Sequence, residues 1–547
     1  MKAAEEFDYD WLVIGSGFGG SVSALRLAQK GYKVAVLECG RRFEDEDFAK
    51  TAWNLRRYIW MPRLGLKGVF RMTIFKDVFI GSGSGVGGGS LGYANTLYRG
   101  AAKFFIDTQW AGLEPDWERA LAPHYDEAER MLGVVKYEGE GPADELLKGF
   151  ADHVGVGDTF TTTNVGVFFG EPGKTVPDPY FGGEGPARTG CVRCGACIIG
   201  CRYGAKNTLV KNYLWFAERA GVEIQPERTV TDVRPIGAPD GSDGYAVSSV
   251  RSGAWARPKP STLRARGVVL AAGALGTNRL LARCKLDGSL PRVSDRLGHL
   301  VRTNSESIVF ATAPDDTRDF TKSVALTSSV YTDADTHIEV CTYGRGADAM
   351  SFLSTLLVDK GGRRTRPLRF LLALARRPLT ALRMLWPVNW ARRTMILVVM
   401  QTLDNAIRLK VKRRLPGGDV VLTTEQDPDN PLPAEGIPVA GQAARWVAEQ
   451  IGGTARAMLT ESILAIPTTA HILGGAAIGA SADTGVVDAQ HCVYGYENLL
   501  VCDGAAIPAN VGVNPSLTIT ALAERAMTFV PAKKGDPAAS VGAAPVT

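Results

Sequence analysis

Residues 9–40 read YDWLVIGSGFGGSVSALRLAQKGYKVAVLECG, the most strongly patterned stretch of the chain. The apolar run at residues 9–14 predicts a strand, because it is short and stops at a glycine cluster. Apolar residues then recur at helical spacing through residues 21–29, and Gly31 ends that helix. A second apolar run at residues 33–38 predicts another strand, so we expect a strand–helix–strand unit.

The turn inside this unit, GSGFGG at residues 15–20, matches G-x-G-x-x-G in the context where that motif binds a dinucleotide. Gly15 permits the tight turn, Gly17 lets a pyrophosphate approach the backbone, and Gly20 allows the helix to pack on the strand. Glu38 follows at the end of the next strand, where a carboxylate accepts hydrogen bonds from a ribose and repels a 2′-phosphate. The pattern favours FAD or NAD over NADP, and the alternative is a glycine turn without a ligand.

The composition is that of a globular protein with an excess of glycine. Of the 547 residues, 45% are hydrophobic and 22% are charged, which excludes a disordered or fibrous chain. The 62 glycines exceed ordinary usage, and clustered glycines mark close approach of backbone to a ligand. A net charge of +5 is too weak to indicate nucleic acid as a partner.

The sequence predicts a cytoplasmic protein. Residues 1–10 are polar and acidic, unlike a signal peptide, and no apolar stretch reaches the length of about 18 residues that a spanning helix needs. In that compartment the nine cysteines are expected to be reduced thiols or metal ligands.

Four later segments carry a family resemblance. They are GSGSGVGGGS at residues 81–90, VVLAAGALGTNRLL at 268–281, HILGGAAIG at 471–479 and LLVCDGAAIPANVGVNPSLTITALAER at 499–525. In these segments and in their order the chain resembles the glucose-methanol-choline (GMC) oxidoreductase family, and most of all its bacterial cholesterol oxidase-like branch. The resemblance covers most of the chain and implies that the dinucleotide is FAD.

The resemblance implies an α/β fold with a discontinuous Rossmann-type FAD-binding domain and a second α+β substrate-binding domain on an antiparallel or mixed sheet. We expect the FAD-binding domain at residues 1–135, 200–300 and 465–530. The remaining parts would be a loop-rich insertion with the cysteine run at 136–199, the sheet domain at 301–464 and a disordered tail at 531–547.

The resemblance also implies which residues contact FAD. Residues matching the first glycine motif and Glu38 hold the ADP half, those of the second cluster lie along the flavin, and one flanks the adenine. The full set is Gly15, Gly17, Phe18, Gly19, Gly20, Glu38, Gly88, Gly89, Ser90, Asn95, Val230, Asp503, Gly504, Asn514 and Pro515. No histidine stands within residues 81–98, so we expect the FAD to be noncovalent.

Two residues are expected to be catalytic: His471 matches the family's active-site histidine, and Asn514 matches the asparagine beside it in sterol oxidases. When hydride leaves a carbinol carbon, another group must orient and deprotonate the hydroxyl, and histidine can do so near neutral pH. The alternatives are a core role for His471 and a plain turn role for Asn514, which precedes Pro515.

Sterol oxidases of the family also move a double bond with a glutamate base. Matching MILVVMQTLDN (residues 395–405) to the family strand places Arg392, not a glutamate, near that base, which speaks against isomerisation. Glu306 and Glu339 are the candidate bases on neighbouring strands. Each could equally be a surface or ion-paired residue.

The run CVRCGACIIGC contains Cys191, Cys194, Cys197 and Cys201. Its C-x2-C-x2-C-x3-C spacing is that of ferredoxin-type [4Fe-4S] sites, although Arg202 replaces the usual proline. Either Cys201 or a remote thiol such as Cys284 would complete the site. A zinc site and a metal-free loop are the alternatives.

Two segments, residues 53–76 and 363–393, combine basic and apolar residues without an acid. Both could lie on the anionic inner face of the cell membrane, from which a poorly soluble sterol would enter the pocket. The alternative is amphipathic helices packed on the core with solvated arginines.

The leading hypothesis is FAD-dependent oxidation of a hydrophobic secondary alcohol, such as a 3β-hydroxysteroid of the cholesterol type, with oxygen as acceptor. A second is a sterol or long-chain alcohol dehydrogenase that passes electrons through an iron–sulfur site. A third is a redox-neutral steroid Δ5-isomerase on a flavoprotein scaffold, and a fourth is a non-catalytic flavoprotein on a membrane. No nucleic acid is expected as a partner.

Overall fold

The computed structural model describes residues 7–254, 259–413 and 420–534. Its first layer is a seven-stranded sheet whose central strands are parallel and buried. Tyr9–Ile14 lies between Val34–Leu37 and Ser261–Leu270 and pairs in parallel with both. Leu499–Val501 also pairs in parallel with Ser261–Leu270, so the last part of the chain returns to the first sheet.

The predicted strand–helix–strand unit is confirmed. The helix runs over Phe18–Gln29 and starts within the glycine motif, three residues before the predicted start at Ser21. Val22, Leu25 and Leu27 are buried, as their spacing indicated. The two strands are apolar throughout because parallel strands in such a sheet are covered on both faces.

Three outer strands and four further helices complete this first domain. The strand Glu223–Gln225 forms one edge, and the other edge is built by Tyr245–Arg251 and Arg228–Pro235. The helices are Trp117–Leu132, Tyr213–Arg219, Gly273–Asp287 and Ser516–Phe529.

The second domain is built on a seven-stranded antiparallel sheet. Its spatial order is Ser354–Leu356, Thr454–Met458, Ser307–Thr312, Thr394–Gln401, Thr336–Cys341, Leu326–Tyr331 and Thr161–Thr162. An apolar core lies between this sheet and two helices, Pro142–His153 and Pro438–Gln450. A second α+β domain was predicted, and the sheet is antiparallel throughout.

The predicted domain boundaries differ from the structure in the insertion at residues 136–199. Thr161–Thr162 adds an edge strand to the second sheet, and Pro142–His153 buries Leu147 and Phe150 in that sheet's core. Residues 142–162 therefore belong to the second domain, and the reason is long-range packing that local composition does not reveal.

Short elements connect these layers. Thr468–Thr469, Phe79–Gly83 and Phe70–Ile74 form a three-stranded sheet, and Ile407–Arg413 pairs with Val420–Gln426. Two-residue strand pairs are Trp60–Met61 with Leu66–Lys67, Val135–Lys136 with Asn164–Val165, and Thr175–Val176 with Arg188–Thr189. The remaining helices are Leu55–Tyr58, Ala102–Phe105, Arg366–Arg376, Pro378–Met384, Trp390–Arg393 and Leu459–Leu464.

Most of the predicted tail, residues 535–547, lies outside the described residues. Within its first part Lys533 is bound to the first domain: its backbone N–H donates to Lys30 O at 2.9 Å and its ammonium lies 2.6 Å from Asp10. In the part of the chain that the structure describes, no helix is long and apolar enough to cross a membrane.

The two glycine clusters touch each other. A Cβ on Gly88, which has φ +53°, would lie 2.6 Å from the Cα of Gly17. Ser16 reinforces the contact, because its hydroxyl donates to Glu38 at 2.7 Å and accepts from the Gly87 N–H at 3.0 Å. The second glycine cluster, residues 81–90, therefore packs directly against the turn at residues 15–20.

Replacing Gly88 by Ala is expected to destabilise the fold and lower its FAD content. The left-handed conformation costs a residue with a Cβ about 1–2 kcal/mol, and the contact with Gly17 adds to that cost. Gly221→Ala is the matched control, because Gly221 has φ +88° but nothing within 4 Å of its Cβ position. Thermal unfolding and flavin absorbance measure the difference, and equal effects of the two variants would contradict the close contact.

Candidate active site

His471 is held from one side by a carboxylate. The residue follows the short strand Thr468–Thr469, and its Nδ1 lies 3.1 Å from Oε2 of Glu306. The same oxygen accepts hydrogen bonds from the Thr469 hydroxyl and the Ala470 N–H, each at 2.8 Å. Because Glu306 is fixed by these bonds, Nδ1 faces the carboxylate and Nε2 remains for other partners.

Asn514 faces the other ring nitrogen. Its Nδ2 lies 3.5 Å from Nε2 of His471 and donates to Oε2 of Glu339 at 3.2 Å. Its Oδ1 is buried and has no partner among the described residues. The predicted pair and both candidate bases therefore lie in one row, Glu306, His471, Asn514 and Glu339.

Two backbone features bring the row together. Asn304 and Ser305, with φ of 56° and 43°, turn the chain just before the strand Ser307–Thr312 and present Glu306. The Asn304 amide donates to Val513 O at 3.0 Å and accepts from the Gly512 N–H at 2.8 Å. The second domain is thereby fastened to the loop that carries Asn514.

Burial sets different proton affinities along the row. Burial lowers the pKa of His471, but the charge of Glu306 outweighs it, so the pKa stands above its ordinary value. Burial raises the pKa of Glu339 to about 8, although His471 and Asn514 act in the opposite direction. Glu339 is therefore protonated at neutral pH and titrates just above it.

A fifth polar residue near the site, His337, was not predicted from the sequence. It is fully buried, neither ring nitrogen has a partner among the described residues, and burial lowers its pKa to about 3. Its ring stacks on Tyr331 at 4.4 Å, and the edge of Tyr98 lies 5.4 Å away. The sequence contained a signal for this residue: His337 lies two residues before Glu339 on one strand, and side chains two positions apart on a strand face the same side of the sheet.

Arg392 does not lie at the site. It precedes the strand Thr394–Gln401 and pairs with Asp316 and with Asp319, the latter at 3.4 Å. The residue of that strand opposite Glu339 is Val398. Glu339 is itself not a surface residue, because its exposed fraction is 0%.

The glycine motif offers room and charge for a phosphate group. Gly17 has nothing within 4 Å of its Cβ position, so the space in front of it is open. The helix Phe18–Gln29 begins without a side-chain cap and without an acidic residue in its first turn. Its N-terminal N–H groups and positive dipole end are left for an anion. Gly15, Gly19 and Gly20 instead face neighbouring backbone, where no side chain would fit.

The other predicted FAD contacts surround this turn. The Glu38 carboxylate accepts hydrogen bonds from the Ser16 hydroxyl and from the Gly40 N–H. The backbone oxygen of Glu38 accepts from the Arg228 N–H, and Val230 lies two residues further along that strand. Asn95 has a buried amide with no partner for either atom among the described residues, which leaves donors and acceptors for a flavin. Ser90 is different, because its hydroxyl is used within the fold, donating to Gly87 O and accepting from the Leu209 N–H.

The C-terminal contacts have mainly positioning roles. Asp503 accepts from the Gly273 N–H and the Thr277 hydroxyl, which ties the last strand to the helix Gly273–Asp287. Gly504 O accepts from Gly474 N–H, and Pro515 caps the helix Ser516–Phe529. The residues present fit FAD, because the open space at Gly17 and the free Asn95 amide belong to the predicted dinucleotide path.

The chemistry of the row suits oxidation of an alcohol. With Nδ1 of His471 held by Glu306, Nε2 is left to take a proton, and Asn514 Nδ2 beside it can donate to the alcohol oxygen. FAD, when bound, supplies the two-electron acceptor for the carbinol carbon. In this arrangement the chain's own residues can orient the hydroxyl and receive its proton, and their burial excludes water.

Comparison with known proteins finds two matching family models and several similar enzymes. The GMC oxidoreductase family model matches residues 421–523, and an FAD binding domain model matches residues 10–52. A cholesterol oxidase of Mycobacterium tuberculosis (strain ATCC 25618 / H37Rv) is 51% identical over 540 residues, covering 96% of this chain and 92% of that protein. One of Acinetobacter baumannii is 49% identical over 534 residues, covering 96% and 95%.

A solved structure shows the same fold. Pyridoxine 4-oxidase from Mesorbium loti has a TM-score of 0.59 at 14% identity and covers 95% of this chain and 99% of its own. The fold and the site define a flavin-dependent alcohol oxidoreductase. The chain belongs to the GMC oxidoreductase family and within it is similar to bacterial cholesterol oxidases.

Glu306→Gln is expected to shift the acid limb of the pH profile of kcat/KM to lower pH. Without the carboxylate charge the protonated form of His471 is less stable, so its pKa falls and the neutral base persists at lower pH. His471→Ala should lose about 10²–10⁴-fold in kcat.

Glu449→Gln, on the exposed face of the helix Pro438–Gln450, is the control and should leave the profile unchanged. Steady-state rates between pH 5 and 9, roughly the range in which a histidine base titrates, make the measurement. An acid limb that stays in place in Glu306→Gln would show that the titrating group is not His471.

Proposed function

We propose that the protein oxidises the 3β-hydroxyl of a sterol such as cholesterol to the ketone, with oxygen reoxidising the FAD. The identity of about 50% to two bacterial cholesterol oxidases over nearly the whole chain carries this proposal. The row of Glu306, His471, Asn514 and Glu339 supports it, because it can orient and deprotonate a secondary alcohol beside a flavin.

We also propose that Glu339 moves the double bond of the product. A base that carries a proton between two carbons works best when its pKa is close to the working pH, and that of Glu339 is about 8. Glu306 suits this role less well, since its carboxylate is occupied by His471, Thr469 and Ala470. Asn514 would hold Glu339 beside the bound steroid.

Sterols and long-chain alcohols should be compared as substrates, with oxygen uptake, anaerobic bleaching of the flavin and the isomer of the ketone as readouts. We expect sterols to reduce the flavin and consume oxygen, and to give the conjugated Δ4-ketone. Conversion of a Δ5-3-ketosteroid without any sterol-driven flavin reduction would favour the redox-neutral isomerase.

The variant Glu339→Gln separates the isomerisation from the oxidation. An amide cannot carry the proton, so the product should accumulate as the Δ5-ketone, and the ratio of the two isomers reports this independently of the oxidation rate. The control is again Glu449→Gln. An unchanged isomer ratio in Glu339→Gln would refute the role of Glu339.

We propose further that the protein docks peripherally on the inner face of the cell membrane through residues 363–393. The structure forms two helices there, Arg366–Arg376 and Pro378–Met384, whose apolar side chains face outward instead of packing on the core. The exposed apolar residues are Leu368, Leu371, Leu372, Leu379, Leu382, Leu385, Trp386 and Val388. Trp386 is 74% exposed, which is unusual for so large an apolar side chain.

The charge and position of this surface suit an anionic bilayer. Exposed arginines border the leucines, namely Arg364, Arg369, Arg376, Arg377 and Arg383. Arg366 anchors the surface, because its guanidinium donates to Glu461 O and Glu435 O. The helix that contains Glu461, Leu459–Leu464, leads directly to the strand before His471. Residues 53–76 adjoin it where Arg363 pairs with Asp77 at 3.0 Å.

Liposome flotation tests the docking surface. Binding is expected to vesicles with anionic lipid and to weaken about fivefold for each of Arg376 and Arg377 changed to Gln, since a basic residue at such a surface contributes about 1 kcal/mol. Leu382→Ser should weaken binding too, whereas Leu286→Ser, at an exposed leucine elsewhere, should not. No lipid-dependent flotation of the wild type would remove the proposal.

A further inference from the structure

The cysteine run lines a cavity of its own, apart from the row around His471. Cys191, Cys194, Cys197 and Cys201 all face it, together with Val167, Tyr203, Ala205 and Lys206. All four cysteines are free, half-buried thiols. We infer that this cavity binds a [4Fe-4S] cluster, with each of the four thiolates on a different iron.

The loop is shaped to turn four thiols inward. Left-handed residues recur through it, with φ of 52° at Arg193, 67° at Gly195 and 120° at Gly200. The backbone N–H of Arg193 donates to Sγ of Cys191 at 3.4 Å. Hydrogen bonds from backbone N–H groups to cysteine sulfur are a regular feature of iron–sulfur sites, where they tune the reduction potential.

The spacing of the sulfurs speaks against zinc. A tetrahedral zinc ion with Zn–S bonds of about 2.3 Å needs its four sulfurs within about 4 Å of one another. Among the residues that the structure describes, the one group of three ligand atoms within 4.8 Å is His299, Asp427 and Asp429, and it contains no cysteine. No three of the four thiols of the run therefore lie within 4.8 Å of one another, a spacing that suits ligands on separate irons.

The fourth ligand is Cys201 and not the remote Cys284. Cys284 is buried in the first domain, where its Sγ accepts from the Val233 N–H at 3.4 Å and lies near Asp232. It does not line the cavity. The four ligands therefore come from one continuous loop, and Cys201 closes the same site.

A buried cationic residue is part of the cavity's lining. Lys206 is 1% exposed, and its Nζ donates to three carbonyl oxygens, those of Leu91, Tyr93 and Cys197, at 2.8–3.0 Å. No carboxylate bonds to it among the described residues. Burying an ammonium without a counter-charge is costly. An anionic group in the cavity would supply the missing charge.

The cluster has the charge that this environment lacks. With four thiolates, an oxidised [4Fe-4S] cluster carries a net charge of about −2. Arg188 lies beside the loop, 2% exposed, with its guanidinium on Gly204 O and Ala205 O. Arg202 flanks Cys201 and donates to backbone oxygens of Glu46 and Phe48. Of these cations, Lys206 lines the cavity, Arg188 interacts with Cys201, and Arg202 is the neighbour of Cys201 in sequence.

The same lysine connects the cavity to the predicted flavin segment. Leu91 and Tyr93 follow Gly88, Gly89 and Ser90, and Lys206 joins their carbonyls to that of Cys197. The cluster would lie directly behind this segment. As a second route beside reoxidation by oxygen, it could take the two electrons of alcohol oxidation one at a time and pass each to a one-electron oxidant, while the two protons leave to solvent. This electron route rests on the proposed function, whereas binding of the cluster does not.

Iron and sulfide analysis of the full chain tests the site. After anaerobic purification, and after reconstitution with ferrous iron and sulfide under thiol reductant, we expect about four irons and four sulfides per chain beside one FAD. The reduced protein should show an electron paramagnetic resonance signal of a cluster. Substoichiometric iron with full flavin after both procedures, or one zinc per chain, would overturn the inference.

Two variants keep the test specific. Cys197→Ser should lose the iron and the resonance signal while retaining FAD and its unfolding temperature, and Cys492→Ser, at a half-buried cysteine outside the loop, should retain all of them. If Cys197→Ser fails to fold, Cys201→Ser, at the end of the loop, provides the same readout. Iron retained at the wild-type level in a folded ligand variant overturns the site.

The failure of the proposed function would look different. A protein with about four irons per chain that does not oxidise sterols would retain the cluster site and refute the substrate. A protein without iron that oxidises cholesterol would refute the cluster site and leave the proposed substrate in place. With both present, reduction of a one-electron dye in Cys197→Ser should fall relative to oxygen uptake, and an unchanged ratio would refute the electron route.

Discussion

The side-chain amide of Asn304 holds the two domains in register where they meet at the active site. It bonds to the backbone of Gly512 and Val513, while its own backbone N–H donates to Asn510. Glu306 lies two residues after it, and Asn514 lies one residue after Val513. The separation between the carboxylate that holds His471 and the amide beside it therefore depends on these few hydrogen bonds, which are buried and shielded from water.

Burial then gives chemically similar groups different properties. Glu306 is occupied by His471, Thr469 and Ala470, whereas Glu339 has one hydrogen bond, from Asn514, and a pKa near 8. His337, two residues before Glu339, is neutral because burial strongly disfavours its charge. Neighbouring groups whose pKa values are shifted by burial, such as His337 and Glu339, are a regular sign of acid–base chemistry. Burial likewise lowers the pKa of Lys206, to about 8, beside the cysteine loop.

Local pattern predicted the first domain well and the second poorly. The two strands beside the glycine motif and the helix Phe18–Gln29 between them have short-range signatures. The edge strand Thr161–Thr162 has none, because two residues gain their place only from the partner strand. His337 escaped notice for a related reason, since its importance comes from rings contributed by Tyr98 and Tyr331.

The sequence by itself determined the dinucleotide turn, the residue types at the site and the spacing of the four cysteines, because each depends on neighbours within a few positions. Only the tertiary structure decided that Glu306 and Glu339 stand at opposite ends of one row, that Arg392 is paired elsewhere and that the leucines of residues 363–393 face outward. The position, pairing and exposure of these side chains depend on which distant segments pack around them and exclude water. Burial is therefore a property of the assembled fold and cannot be read from neighbouring residues in the sequence.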